Sequence, residues 1–147
     1  MNKTKSKVLF VDDEGEWSGP YVEHLGQHFD VVPFRDPLEA SKYLDTNLDV
    51  NAVVVDIMMP TPENVSANLT SDGELCGLWF ISEIRNYITG FRCPIVVLTN
   101  KTMALFSKQL DTLGIPPTLI TCRQKRDTSR SQLPVIVEQM ISRVGKG

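Results

Sequence analysis

NAVVVDIMMP, residues 51–60, runs apolar for most of its length, stops at an aspartate and is closed by a proline. Val53, Val54, Val55 and Ile57 are all β-branched, a type that favours extended backbone. A strand with one face in water alternates apolar and polar residues. This one does not alternate, so it is expected to be covered on both faces, as in a parallel sheet flanked by helices. CPIVVLTN (93–100) repeats the pattern, and KVLFV (7–11) is a shorter version of it. DVVPF (30–34) reads as a weaker strand whose Pro33 points to an edge position, and PTLITC (117–122) as a fifth strand.

Helical patterns fill the gaps. VEHLGQHF (22–29) spaces Val22, Leu25 and Phe29 along one face. RDPLEASKYL opens with Asp36 before Pro37, an N-cap followed by proline at the first helical position. GLWFISEIRNYI (77–88) reads as a third helix. TMALFSKQLDTLG (102–114) aligns Met103, Phe106, Leu110 and Leu113, with Gly114 as its C-terminal stop. LPVIVEQMISRV (133–144) carries an apolar stripe from Leu133 to Val144. Strand and helix therefore alternate five times, which predicts a doubly wound α/β sheet with helices on both faces. The polar, turn-rich segment 61–76 is too long for an ordinary connection and reads as a surface insertion.

Composition sets the bounds. With 147 residues, 41% apolar and 22% charged, the chain is expected to form one domain, with a core from about 6 to 144. A net charge of -3 gives no electrostatic case for direct nucleic-acid binding. No apolar run reaches the roughly 20 residues of a membrane span, and the basic start lacks a signal peptide's apolar region; a cytoplasmic location is expected. Cys76, Cys93 and Cys122 form no paired motif and read as small buried hydrophobes. His24 and His28 have zinc-compatible spacing, but with no third ligand they read as a solvated helix face.

Parallel strands bring their ends to one edge. VLFV runs into Asp12 and Asp13, the third strand into Asp56 and the fourth into Thr99; beyond the fifth lie Arg123, Lys125 and Arg126. Ligands of such sheets bind at this carboxyl edge, where the strand order reverses. Carboxylates crowded there raise each other's pKa unless a cation intervenes. A hard divalent ion such as Mg²⁺ suits an all-oxygen, shallow acidic site, and phosphoryl transfer is the chemistry that uses carboxylate, metal, hydroxyl and lysine together.

VLFVDDE, VVVDIMMP, GLWFISEIR and PIVVLT, in this order, resemble the receiver domain of two-component response regulators over about residues 6 to 144. The resemblance implies a flavodoxin-like (βα)5 fold with a five-stranded parallel sheet of order 2-1-3-4-5. It implies that Asp56 is the phosphoacceptor, and that Asp12, Asp13, Asp56 and the main-chain carbonyl of Met58 hold Mg²⁺ or Mn²⁺. Thr99 matches the switch hydroxyl, and Lys125 matches the lysine that contacts the phosphoryl group, with Arg123 as the alternative. The implied partners are a sensor histidine kinase or histidine phosphotransfer protein and an unknown downstream protein. The resemblance also allows a homodimer through the fourth helix, fifth strand and fifth helix. The chain is then a signalling module and not an independent enzyme, beyond catalysing its own aspartyl phosphorylation and dephosphorylation.

The departures from the family pattern cluster at one end. Asp56 lies 21 residues before Gly77 and 43 before Thr99. Both spacings exceed the usual ones by the same amount, which puts the excess inside segment 61–76. Arg126 stands where the family has a proline, Asn100 replaces a small residue, and TLITC lacks the family's switch aromatic. These differences motivate an alternative, a receiver-like interaction module whose output no longer depends on phosphorylation. An aspartyl-nucleophile phosphatase would carry an acid two residues after the nucleophile, and here that residue is Met58.

Overall fold

The computed structural model describes residues 5–145, without the side chains of residues 15–17. Five strands form one parallel sheet of order β2-β1-β3-β4-β5, with β1 at Lys7–Val11, β2 at Asp30–Phe34, β3 at Val50–Val55, β4 at Ile95–Thr99 and β5 at Ile120–Gln124. The doubly wound order is the one expected, and Pro33 does sit on an edge strand.

Because side chains alternate along a strand, the unbroken apolar runs feed two separate cores. Leu9, Val11, Val53, Val55, Ile95 and Val97 face one side of the sheet. Val8, Phe10, Ala52, Val54, Val96 and Leu98 face the other. Helix α1 (Gly15–Gly26) and helix α7 (Gln132–Gly145) cover the second face through Leu25, Leu133, Val137 and Met140. The first face is covered by α2 (Pro37–Thr46), α4 (Cys76–Glu83), α5 (Arg85–Phe91) and α6 (Ser107–Asp111). Each fully buried aliphatic side chain stabilises the fold by roughly 1.5–3 kcal/mol relative to exposure. The short α3 (Ala67–Thr70) belongs to segment 61–76.

Local signals work where the chain supplies its own partner. Asp36 caps α2 by accepting the Leu38 N–H at 2.8 Å, with Pro37 in the first turn. Elsewhere packing overrides the pattern. The helix expected over 77–88 breaks at Ile84 (φ -101°, ψ 9°), because its two halves are anchored separately. In the second half the Tyr87 hydroxyl donates to the Asn47 carbonyl at 2.7 Å and accepts the Val50 N–H at 3.2 Å. The helix expected over 102–114 shrinks to a 3₁₀ turn at Met103–Leu105 and α6, since Phe106 leaves helical geometry (φ -139°) to enter the core. Gly114 does take the left-handed conformation, at φ 68°. The fifth strand starts three residues later than expected. Pro117 instead opens a 3₁₀ turn at Pro117–Leu119, where its fixed φ fits. That shift carries β5 on to Gln124 and leaves Lys125 in the turn that follows it.

Candidate functional site

The sheet reverses its order between β1 and β3, and its hydrogen-bond ladder continues past both strands. The Asp12 N–H donates to the Phe34 carbonyl at 3.1 Å, and the Asp56 N–H to the Val11 carbonyl at 3.2 Å. The backbones of both acids are thus held by the sheet, and both side chains are buried, Asp12 and Asp56 each at 4% exposure.

Each of the two carboxylates divides its oxygens the same way. Asp12 Oδ1 accepts the Glu14 N–H at 3.0 Å, and Asp56 Oδ1 accepts the Met58 N–H at 3.3 Å. The other oxygen of each faces Lys125, whose Nζ lies 2.8 Å from Asp12 Oδ2 and 2.8 Å from Asp56 Oδ2. One ammonium therefore bridges two buried acids from different strands. Asp13 is different. Its Oδ1 is buried and has no hydrogen-bond partner among the described residues.

The electrostatics follow from burial. Desolvation holds the Asp12 carboxyl above its ordinary value, against the opposing pull of the Lys125 ammonium and the Glu14 N–H. Desolvation likewise raises Asp13, with Glu14 and Asp56 adding to it. Burial also disfavours the Lys125 ammonium, but its hydrogen bonds to Asp12 and Asp56 outweigh that, and its pKa is raised. Three acids and one base leave the cluster short of positive charge, and Asp13 Oδ1 is the atom left over.

Thr99, at the end of β4, is buried at 2% exposure. Its Oγ1 accepts the Lys101 N–H at 3.2 Å, so the hydroxyl oxygen shapes the turn out of the strand. Asn100 and Arg123 are exposed. Arg123 lies within β5 rather than beyond it, and of the two basic candidates it is Lys125, just past the strand, whose side chain is brought to the acids. Met58, on the loop after Asp56, has an exposed side chain. Glu14 is exposed and makes no side-chain cap on α1.

The chain leaving β3 is braced from behind. The Gly77 N–H donates to the Ile57 carbonyl at 2.8 Å, so closely that a Cβ on Gly77 would run into the Asp56 carbonyl. Gly73, at φ 93°, accepts the Met59 N–H through its carbonyl at 3.1 Å, and a Cβ there would meet the Met59 carbonyl at 2.7 Å. Thr70 is fully buried and its hydroxyl pairs with that of Thr61 at 2.5 Å. Segment 61–76 is thus a hydrogen-bonded block built onto the exit of β3. Its Glu74 reaches Lys101 at 3.9 Å.

One contributor has no signal in the local sequence. The hydroxyl of Tyr21, on α1, lies 2.7 Å from the Thr128 carbonyl and 3.1 Å from the Lys125 carbonyl. No short-range pattern connects positions more than a hundred residues apart, and only the packing of α1 beside α7 brings them together.

The oxygen donors at this edge are those a hard cation takes: Asp12, Asp13 and Asp56 side chains with the Met58 carbonyl nearby in the chain. The orphaned Asp13 Oδ1 fits such a ligand. With Lys125 between Asp12 and Asp56, no three acidic, His or Cys side chains among the described residues already close around one point.

No family model matches the sequence, and no curated protein matches it. Solved structures do match the fold. A response regulator receiver protein from Sinorhizobium medicae superposes with a TM-score of 0.71 at 19% identity, over 94% of this chain and 95% of its own. The Francisella response regulator 1452 receiver domain gives 0.68 at 19% identity, over 94% and 98%. The chemotaxis response regulator CheY4 of Vibrio cholerae gives 0.68 at 18% identity, over 93% and 99%. The five-stranded parallel sheet of order β2-β1-β3-β4-β5 is therefore the fold of the response-regulator receiver domains.

Proposed function

We propose that this chain is a phosphoacceptor receiver module of a two-component phosphorelay, formed as a single unit with segment 61–76 as an insertion. The observation that carries the reading is the Lys125 ammonium held 2.8 Å from both Asp12 and Asp56, together with an Asp13 oxygen that has no hydrogen-bond partner among the described residues. A cluster poised in this way has its base in place and is still short of positive charge.

In this reading Asp56 Oδ attacks the phosphorus of a phosphohistidine in line. The new O–P bond forms as the P–N bond breaks, and the imidazole leaves with the electron pair and takes up a proton. Asp12, Asp13, Asp56 and the Met58 carbonyl would hold Mg²⁺, which would supply charge neutralisation for the carboxylates and the phosphoryl oxygens. Lys125 lets go of Asp56 Oδ2 and pairs with a phosphoryl oxygen, keeping Asp12 as its second partner. Thr99 gives up its role in the turn and turns its hydroxyl toward the new charge, which shifts an existing conformational equilibrium. The donor is a sensor histidine kinase or a histidine phosphotransfer protein in the cytoplasm, and the receiver of the signal is a protein. A homodimer would use the face made by α6, β5 and α7. None of the described helices is long and apolar enough to cross a membrane.

The test is incubation with a small phosphoramidate donor and Mg²⁺, with aspartyl phosphate followed by intact mass. Wild type is expected to gain one phosphoryl group, and Asp56→Asn none. Labelling that persists in Asp56→Asn would sink the assignment.

A second reading keeps the fold and drops the switch. It is favoured by the engagement of Thr99 Oγ1 with the Lys101 N–H and by a β5, Ile120–Gln124, without an aromatic. Phosphorylation would then leave the amide spectrum of β4, α6 and β5 unchanged. Widespread shifts there on phosphorylation would eliminate this reading.

A further inference from the structure

We infer that Tyr21 is the positioning residue for Lys125, a hydroxyl on the first helix that fixes the turn from which the bridging ammonium reaches the acids. The inference rests on the phosphoacceptor reading for its kinetic consequence, but not for its structural one.

A lysine side chain has four rotatable bonds and loses about as much rotamer freedom as any residue when it is held in place. Holding its head between two carboxylates from different strands requires the backbone at its root to be fixed. Here the root lies outside the sheet. β5 ends at Gln124, and Lys125 begins a single 3₁₀ turn, Lys125–Asp127. The residue after it is Arg126, which imposes no backbone angle of its own, and Arg126 and Asp127 are exposed. One hydrogen bond within the turn, from the Thr128 N–H to the Lys125 carbonyl at 3.2 Å, closes it.

Tyr21 supplies what the turn lacks. Its hydroxyl carries one proton, and the 2.7 Å contact to the Thr128 carbonyl is the better placed for it, with the Lys125 carbonyl at 3.1 Å as a secondary acceptor. Both ends of the turn are thereby tied to one atom. That atom is anchored in its own right, since the Tyr21 ring packs against the core between the sheet, α1 and α7. The tie is therefore to the rigid body of the domain and not to another loop. A purely structural tyrosine would account for the packing of the ring. It would not account for a hydroxyl placed at the carbonyl of the one residue that joins Asp12 to Asp56.

The test uses Tyr21→Phe, which keeps the ring and removes the hydroxyl, alongside Lys125→Ala and the double variant. The first readout is the side-chain ammonium signal of Lys125 in a proton–nitrogen correlation spectrum of the lysine-labelled full chain, assigned by its loss in Lys125→Ala. Tyr21→Phe is expected to speed solvent exchange of that signal by about fivefold, the worth of one hydrogen bond. An unchanged signal overturns the inference. The second readout is the rate of Asp56 phosphorylation by the phosphoramidate. Tyr21→Phe should slow it by a similar factor in wild type and by less than about twofold in the Lys125→Ala background, because the two residues act as one unit. An equal loss in both backgrounds overturns the inference. Wild-type protein that takes no phosphoryl group would remove the phosphoacceptor reading, and the exchange of the Lys125 signal would then decide the role of Tyr21 alone. Should Tyr21→Phe fail to fold, Tyr21→4-fluorophenylalanine, which fills the place of the hydroxyl but has no proton to donate, is read against the same signal: faster exchange supports the inference, and unchanged exchange overturns it.

Discussion

Two segments leave the carboxyl edge of the sheet beside the acids, one after β3 and one after β5, and they are held in opposite ways. The first is held by its own residues. Gly77 bonds to Ile57, Gly73 to Met59 and Thr70 to Thr61, all within about one stretch of chain. The second is held from far away. Lys125 is bound to Asp56, 69 residues earlier, and its turn to Tyr21, 104 residues earlier. A long segment can thus be locally determined, while a three-residue turn depends on the completed fold. The acid side of the site is built into the sheet, and the basic side is brought to it by packing.

The largest expected effect strikes the distant side. Lys125→Met leaves Asp12 and Asp56 buried without their shared cation and should cost about 3–5 kcal/mol, measured by urea unfolding without divalent ions. Millimolar Mg²⁺ should restore part of the loss. A loss unaffected by Mg²⁺ would mean that the ion and Lys125 do not relieve the same repulsion.

Next comes the local side. Gly77→Ala puts a methyl against the Asp56 carbonyl, and overpacking of this kind costs about 1–3 kcal/mol. Because the strain falls on the backbone of Asp56, phosphorylation should slow by more than the stability change alone explains. A neutral Gly77→Ala would show that the β3 exit yields easily.

Asp13→Ala is expected to go the other way, raising stability without metal by roughly 0.5–2 kcal/mol, because it removes a half-buried charge whose Oδ1 has no partner among the described residues. The sign with pH follows from its raised carboxyl, which makes the folded chain hold that proton more tightly than the unfolded chain. Wild type should therefore close the gap on the variant as pH falls through the range just above the ordinary 3.8. A gap that widens on acidification would contradict the burial of Asp13. In the variant, added Mg²⁺ should no longer raise the melting temperature.

The smallest effect belongs to Glu74→Ala. Glu74 is 69% exposed and 3.9 Å from Lys101, so its removal should change stability by less than about 0.5 kcal/mol. A larger change would mean that segment 61–76 leans on the turn after β4 as well as on the exit of β3.

The same contrast explains what could be read in the sequence. Strands buried on both faces announce themselves by unbroken β-branched runs, and the Asp36–Pro37 cap announces α2, because each signal lies within a few residues of its effect. That alternation pointed to a doubly wound parallel sheet, and its strand order followed from the family resemblance. Ile84 and Phe106 interrupt expected helices for reasons that lie elsewhere in the chain, Tyr87 bonding across to Asn47 and Phe106 sinking into the core. The strand-end acids were legible because parallel strands must deliver their ends to one edge. Arg123 and Lys125 could not be separated by spacing, since the start of β5 depended on how Pro116 and Pro117 bend the approach. Tyr21 carried no local mark at all.

The two cores on either side of β1 also determine how this protein can vary. Val8 and Phe10 serve one core while Leu9 and Val11 serve the other, and the acids follow directly after Val11. Deleting one residue from β1 would move the side chains on one side of the gap to the opposite face, and a shift taken up on the carboxyl side would pull Asp12 out of reach of Lys125. Lengthening the chain beyond Pro60 disturbs neither. Variation in length is therefore expected to be tolerated better after Pro60 than within β1.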